Sequence, residues 1–238
     1  MSPVTIQSNR DAVLVPRSAL VMYRDDGSAH AFATCHPIHF IGDVPHLGPG
    51  TALNHDHLAD FAAVAQKQAA YAGFVPERLI YTQPNLIAWW RPAGKRHVWF
   101  STGDAIGQRA GATEHPPLVF VASHRGWHVF ALRTNTRPTP ESALFNAPYY
   151  NVWQDGRICA GNAQTPKAAT PDSIKGFEDA FFRSRFTHPN QPRLIKRKGG
   201  ATQLWLDLLD GVAFPLAALI PAGETLADAI HRIATGEK

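Results

Sequence analysis

Two β-rich runs open the chain, within the stretch VLVPRSALVMYRDDGSAHAFATCHPI. They are separated by Asp25, Asp26 and Gly27, a combination that favours a tight turn between antiparallel strands. The pattern therefore predicts a β-hairpin. A connector rich in Gly and Pro follows over residues 42–50.

The apolar positions then take up a helical period. Over residues 56–72 they recur at Leu58, Phe61, Val64 or Ala65, and Ala69 or Ala72. This spacing predicts an amphipathic helix. Asn54 or Asp56 would cap its first turn, and Gly73 and Pro76 would end it.

A change to strand-like patterning follows the helix. Short runs of β-branched and aromatic residues occur in LIYTQ, LIAWWRP, HVWFS, PLVFVAS and WHVFALR. Turn-forming residues separate them, with longer loops expected over residues 103–117 and 134–150. The spacing predicts an antiparallel meander of about four strands.

The last third of the chain has helical patterns. Thr170 and Pro171 suit the start of a helix whose apolar face is Ile174, Phe177 and Phe181. The segments TQLWLDLLDG and ETLADAIHRIATG indicate two more helices, the second closed by Gly236. Strands come first and helices later, which is an α+β order.

Composition favours an ordinary globular protein. The chain has 238 residues, of which 45% are hydrophobic and 18% charged. The first residues lack a basic segment followed by an apolar run, so we expect no signal peptide. The longest apolar stretch, residues 212–222, contains two prolines and falls short of the roughly 20 residues that cross a membrane. We expect a soluble, cytoplasmic protein.

Positive charge is concentrated in one stretch. The net charge is +4, and residues 183–198 contain six cations and no acid, namely Arg183, Arg185, Arg193, Lys196, Arg197 and Lys198. Such a run can be a solvated face. It can also dock an acidic protein partner or a nucleic acid backbone.

The sequence lacks the residue patterns of several common binding sites. STGDAIGQRAG has glycines but not the Lys of a phosphate-binding loop. The histidine pairs His36/His39 and His55/His57 are not accompanied by the carboxylate or thiolate ligands that would complete a zinc site. The two cysteines have no repeated spacing, so they form neither a disulfide framework nor a zinc site. We therefore predict no metal and no small-molecule cofactor.

The stretch NVWQDGRICAGN, residues 151–162, holds the more promising of the two cysteines. Asp155-Gly156 predicts a tight turn that presents Cys159 at the end of its return limb, near Asn151. Arg157 or the basic run would favour the thiolate, and the Asn151 amide would face an oxyanion formed at the sulfur. The plainer alternative is a β-turn with a half-buried thiol. Cys35 ends an alternating run and is expected to be buried.

NVWQDGRIC resembles the active-site segment of ubiquitin-conjugating enzymes, in which His-Pro-Asn-Val-aromatic precedes a Gly, an aliphatic residue and the catalytic Cys. The residues in register are Asn151, Val152, Trp153, Gly156, Ile158 and Cys159. PPLVF and WHVFALR resemble that family's sheet strands, and residues 56–72 its N-terminal helix. The bacterial group that the chain is most similar to is the prokaryotic ubiquitin-conjugating-like group that includes PRTRC system protein B.

The resemblance implies an α+β ubiquitin-conjugating-like fold: an N-terminal helix, a four-stranded antiparallel meander, the Cys loop and C-terminal helices. We expect residues 1–50 to add an N-terminal β-hairpin, residues 51–200 to form the core, and residues 201–238 to pack on it as a helical extension, all in one compact unit. It also implies a transferase that accepts a ubiquitin-like protein as a thioester on Cys159 from a ThiF-like activating protein, which uses the ATP.

The pattern departs from the family at two points. Tyr149-Tyr150 stands where the family has His-Pro, and Ala160 where it usually has leucine. His188 belongs to a His-Pro-Asn tripeptide that comes after the cysteine, and we treat it as a speculative base. Three alternatives stay open: a non-catalytic adaptor for a ubiquitin-like partner, a DNA-associated accessory protein that uses the basic run, and a cysteine hydrolase built on Cys159 and His188.

Overall fold

The chain divides into two compact units, Met1–Gln68 and Ala69–Lys238, in a computed structural model. The structure describes residues 6–7, 13–24, 31–53, 71, 73–161 and 163–236. The helix predicted over residues 56–72 lies, except for Tyr71, outside these described residues. The predicted C-terminal extension, residues 201–238, belongs to the second unit.

The first unit contains short antiparallel strands. They are β1 (Ile6–Gln7), β2 (Val13–Leu14), β3 (Ser18–Arg24), β4 (Ala31–Ile41), β5 (Val44–Leu47) and β6 (Thr51–Ala52). Strand β3 pairs with β4, so the strand pairing of the predicted hairpin is confirmed, although its turn lies outside the described residues. The connector predicted over residues 42–50 is partly wrong, because β5 forms there. Gly42 adopts a φ of 61°, which lets the chain reverse tightly and pair β5 with β4.

The described residues of the second unit form nine strands. They are β7 (Leu79–Gln83), β8 (Leu86–Arg91), β9 (Gly94–Ser101), β10 (Gln108–His115), β11 (Leu118–Ser123), β12 (Gly126–Ala131), β13 (Ala143–Asn146), β14 (Arg185–Phe186) and β15 (Pro221–Thr225). Six of them form an antiparallel sheet in the order β15-β13-β12-β11-β8-β7. The other three form a second sheet in the order β10-β9-β14.

The prediction of a simple meander is wrong, and strands form inside two of the predicted loops. Strand β9 leaves the main sheet to pair with β10, which forms inside the loop predicted over residues 103–117. The sequence of β10, QRAGATEH, has almost no apolar residues, so it gave no strand signal, yet it is paired along all eight residues. Strand β13 likewise forms inside the loop predicted over residues 134–150.

The helices of the last third are confirmed. They are α1 (Ile174–Phe182), α2 (Gly200–Leu209) and α3 (Leu226–Thr235). The Thr225 hydroxyl accepts the Asp228 N–H at the start of α3, and Gly236 closes the helix with a φ of 77°. No helix in the described part of the chain has the length and apolar character needed to cross a membrane.

The main sheet is buried on both faces. Ile87 and Trp89 of β8 point to the side covered by α1 and α2, whereas Leu86 and Ala88 pack with α3. The central strands therefore read as continuous apolar runs in LIAWW and LVFVA, without the alternation of a half-exposed sheet. The larger of the two cores is dominated by stacked and edge-to-face rings, including Trp89, Phe120, Phe181 and Trp205.

Candidate functional site

The Cys loop is a tight turn, as predicted. The N–H of Trp153 donates to the carbonyl of Arg157 at 2.8 Å, and the N–H of Gly156 donates to the carbonyl of Trp153 at 3.0 Å. Gly156 takes a φ of 82°, and the Asp155 carboxylate accepts the Arg157 N–H at 3.0 Å. The Asp-Gly pair therefore builds the turn by the chemistry that the sequence indicated.

The return limb of the turn is anchored to strand β12. The N–H of Val129 donates to the carbonyl of Gly156, and the N–H of Ile158 donates to the carbonyl of Trp127, both at 2.9 Å. The Ile158 side chain is buried. Cys159 follows directly and is exposed. The thiol thus stands at the end of a fixed limb, and the half-buried alternative does not hold.

The two tyrosines that depart from the family pattern are buried anchors. The Tyr149 hydroxyl hydrogen-bonds Nδ1 of His115 at 2.6 Å, and His115 Nε2 contacts the Thr113 hydroxyl at 3.0 Å. Burial, helped by the Arg91 charge, lowers the pKa of His115 to about 3. The ring is therefore neutral at physiological pH, and its two nitrogens can serve one donor and one acceptor partner.

Tyr150 is anchored separately. Its hydroxyl donates to the Asp104 carboxylate and contacts the Thr202 hydroxyl at 3.0 Å. Burial, together with the bond to Asp104, raises the pKa of Tyr150 to about 12. The chain just before Asn151 is consequently held by a buried network at Tyr149 and a partly exposed one at Tyr150, where the ubiquitin-conjugating enzymes that this segment resembles have His-Pro.

Asn151 connects the Cys loop to the segment after α1. It adopts a φ of 62°, a left-handed conformation that Asn tolerates better than most residues. Its carbonyl accepts the Cys159 N–H at 2.8 Å, and its own N–H donates to the His188 carbonyl at 3.0 Å. Its side-chain nitrogen donates to the Arg185 carbonyl at 2.9 Å. Its side-chain oxygen accepts the N–H and the hydroxyl of Thr187, at 3.1 and 2.8 Å.

An open groove of about 680 Å³ runs beside the thiol. Cys159 and Asn151 line one side, and the end of α1 with residues 183–185, Thr187 and His188 lines the other. Small side chains such as Ala160 and Ala180 form part of its wall. Space at the sulfur is therefore available for an acyl group.

His188 lies in this groove, although it follows the cysteine in the chain. Strand β14 pairs parallel with β9 and returns the chain toward the Cys loop. His188 and Cys159 then line the same groove, and His188 Nδ1 contacts the Thr187 hydroxyl at 3.0 Å. Thr187, which touches both Asn151 and His188, is a site residue that the sequence analysis missed. Its only signal is that it precedes the His-Pro-Asn tripeptide.

The six cations of the basic run do not line one cavity. Arg183 and Arg185 line the groove of Cys159, whereas Arg193 and Arg197 line another cavity near α2. The two remaining residues, Lys196 and Lys198, are both exposed and line neither cavity. Two of the arginines are ion-paired, Arg183 with Asp179 at 3.8 Å and Arg197 with Asp207.

Arg157 does not line the groove either. Its guanidinium lies 5.8 Å from the ring centre of Trp153, on the other limb of the turn. The cations that line the groove of Cys159 therefore come from the segment after α1 and not from the turn itself. Among the described residues, no three His, Cys, Asp or Glu side chains come together in a metal-binding arrangement.

Comparison with known proteins identifies the family. The model of the family described as prokaryotic E2 family D matches residues 55–222, a span that contains the Cys loop and the groove. No curated protein and no solved structure matches the chain. Since the match covers well over half of the 238 residues, the chain belongs to prokaryotic E2 family D.

Proposed function

We propose that the protein carries a ubiquitin-like protein as a thioester on Cys159. Its family supports a ubiquitin-conjugating-like role in general terms. The observation that carries the finer proposal is the exposure of Cys159 at the end of an anchored turn, beside an open groove. A thiol kept only for packing would lie in the core, where small free cysteines are usually found.

The reaction is a thioester exchange. The Cys159 sulfur attacks the carbonyl carbon of a thioester held by the activating protein, a new C–S bond forms, and the bond to the donor sulfur breaks. The donor thiolate leaves and takes up a proton, while the proton of Cys159 passes to a base. His188 is our candidate for that base, since it lines the same groove.

Asn151 is our candidate for stabilising the oxyanion of this exchange. A side-chain amide has two N–H groups, and the Asn151 nitrogen uses one of them on the Arg185 carbonyl. The second is the candidate donor to the oxyanion. The hydrogen bonds to Thr187 fix the orientation of the amide before the substrate arrives, which is how such donors are most effective.

The partners in this proposal are a ThiF-like activating protein and a ubiquitin-like protein. They follow from the resemblance to the group that includes PRTRC system protein B. ATP is used by the activating protein, and the carrier needs no cofactor of its own. The exposed thiol favours this carrier over a non-catalytic adaptor, which would have no use for an accessible Cys159 and would be expected to bury it.

The test combines the protein with the activating protein, the ubiquitin-like protein and ATP. We expect a covalent adduct that a reducing agent removes, that is absent in Cys159→Ala and that persists in Cys35→Ala. In Cys159→Ser the adduct would be an ester that survives the reducing agent. An intact fold with no adduct would favour the adaptor.

Two further measurements distinguish the carrier from the other two alternatives. Release of the free ubiquitin-like protein from a thioester or amide substrate without a covalent carrier would favour a hydrolase. Salt-sensitive binding to duplex DNA, lost on charge reversal at Arg193 and Lys196, would favour the DNA-associated protein.

A further inference from the structure

We propose that Thr187 is a positioning residue that keeps a proton on Nδ1 of His188 and so leaves Nε2 free to act as the base. The inference deepens the proposed carrier function and rests on it for the role of His188. It concerns which of the two imidazole nitrogens can take the proton of Cys159. A series of hydrogen bonds between the side chains of Asn151, Thr187 and His188 carries it.

The series begins at the Asn151 amide, whose orientation is fixed by two backbone groups. Its side-chain nitrogen lies 2.9 Å from the carbonyl oxygen of Arg185, which can only accept a hydrogen bond. Its side-chain oxygen lies 3.1 Å from the backbone nitrogen of Thr187, which can only donate one. Exchanging the two amide atoms would set donor against donor and acceptor against acceptor. The oxygen is therefore the atom that faces Thr187.

The amide sets the direction of the next two hydrogen bonds. The Thr187 Oγ1 lies 2.8 Å from the side-chain oxygen of Asn151, which has no hydrogen to give, so the hydroxyl donates its only hydrogen there. The hydroxyl then has only lone pairs for its other partner, Nδ1 of His188, at 3.0 Å. Nδ1 must be the donor of that bond. In neutral His188 the hydrogen is therefore on Nδ1 and the free lone pair is on Nε2.

The lone pair on Nε2 is available for proton transfer. His188 is exposed and lines the groove of Cys159, and its Nε2 has no hydrogen-bond partner among the described residues. In the thioester exchange, Nε2 takes the proton of Cys159, and the resulting imidazolium gives that proton to the leaving donor thiolate. The Nδ1–H remains bonded to Thr187 throughout. With the hydrogen on Nε2 instead, the only lone pair of the ring would face the Thr187 hydroxyl and could not serve as the base.

The first test reads the tautomer of His188 without any partner protein. The histidine rings of the full-length protein are labelled with ¹⁵N, and spectra are recorded at about pH 9, where imidazoles are neutral. The signals of His188 are those that disappear in His188→Gln. We expect the hydrogen mainly on Nδ1 in the wild type and in Thr187→Ser, which keeps the hydroxyl. In Thr187→Val, which keeps the size but not the hydroxyl, the ratio of the Nδ1–H form to the Nε2–H form should fall about two- to tenfold, as for the loss of one hydrogen bond.

The second test measures the single-turnover rate of adduct formation on Cys159. Thr187→Val should slow it about two- to tenfold, and Thr187→Ser should react like the wild type. The Asn151 amide keeps its bonds to the two backbone groups in Thr187→Val, so the effect should pass through His188. In a His188→Gln background, Thr187→Val should therefore slow the reaction no further. Thr82→Val, at an exposed position of β7 outside the groove, is the matched control and should leave the rate unchanged.

Three results would overturn the proposal. They are a hydrogen on Nε2 of His188 in the wild type, an unchanged tautomer ratio in Thr187→Val, and an equal slowing by Thr187→Val with and without His188. A failure of the carrier function looks different. A folded wild-type protein that forms no adduct contradicts the carrier function alone, because the tautomer is read from the free protein.

Discussion

The backbone N–H of Cys159 donates a 2.8 Å hydrogen bond to the carbonyl of Asn151. This bond closes the turn at the position of the thiol. Because Asn151 is also bonded to Arg185 and Thr187, the same residue fixes the cysteine and the opposite wall of the groove. Asn151 is thus a structural link between the two sides of the candidate site.

The first prediction concerns the side-chain nitrogen of Asn151. Asn151→Asp keeps the oxygen that accepts from Thr187 but replaces the nitrogen that would stabilise the oxyanion. We expect thioester formation on Cys159 to slow about 10²-fold or more, as for the loss of one oxyanion donor. The measurement is the single-turnover rate of adduct formation.

Asn85 provides a matched control for this substitution. It also has a left-handed conformation, with a φ of 61°, but lies in the turn between β7 and β8. Asn85→Asp should leave the rate unchanged. A wild-type rate in Asn151→Asp would exclude the oxyanion role and leave Asn151 only its structural contacts.

The second prediction concerns His188 as the base. His188→Gln retains a polar side chain but cannot take up a proton, so adduct formation should slow about 10²-fold near neutral pH. The adduct should still reach its normal final amount, because Cys159 is intact. An unchanged rate would show that another group, or solvent, takes the proton.

The third prediction concerns the turn that carries the thiol. A Cβ at Gly156 would lie 2.6 Å from two ring atoms of Phe130, which is buried and cannot move away easily. Gly156 also has a φ of 82°. Gly156→Ala should therefore lower the free energy of unfolding by about 2–4 kcal/mol, through conformational strain and overpacking.

Gly161 separates these two causes. It has a φ of 49°, but an added Cβ would meet nothing within 4 Å. Gly161→Ala should lower the free energy of unfolding by only about 1–2 kcal/mol, the effect of conformational strain. Urea denaturation measures both variants. Equal losses in the two would argue against the contact with Phe130.

The fourth prediction concerns stability in acid. Burial lowers the pKa of His115 to about 3 and that of His128 to about 4, against an ordinary value of 6.5. Since the unfolded chain takes up these protons at higher pH than the folded chain does, stability falls as the pH drops below about 6.5. At pH 5, each histidine should account for a loss of about 2 kcal/mol relative to pH 7.5.

His115→Gln tests this assignment. Its free energy of unfolding should be lower than that of the wild type at pH 7.5, because the bonds to Tyr149 and Thr113 are altered. Its further loss between pH 7.5 and pH 5 should be about 2 kcal/mol smaller. His124→Gln, at an exposed position, should lose as much as the wild type. An unchanged acid loss in His115→Gln would contradict the assignment.

Much of the local structure is determined by the sequence itself. Apolar spacing and capping residues are sufficient for α1, α2 and α3, and the Asp155-Gly156 pair is sufficient for the Cys turn. These features depend on residues close together in the chain. The strands β10 and β13 escaped prediction because their stability comes from pairing with distant strands, and their own residues have weak strand patterns.

The site was decided by the tertiary structure. The sequence predicted the roles of Cys159 and Asn151. Only the return of the chain along β14, however, brings His188 and Thr187 into the groove. The same folding divides the basic run between two cavities and buries Tyr149 and Tyr150, at the point where the resemblance to ubiquitin-conjugating enzymes breaks. Contacts between segments more than thirty residues apart depend on strand pairing and core packing, which no local sequence pattern records.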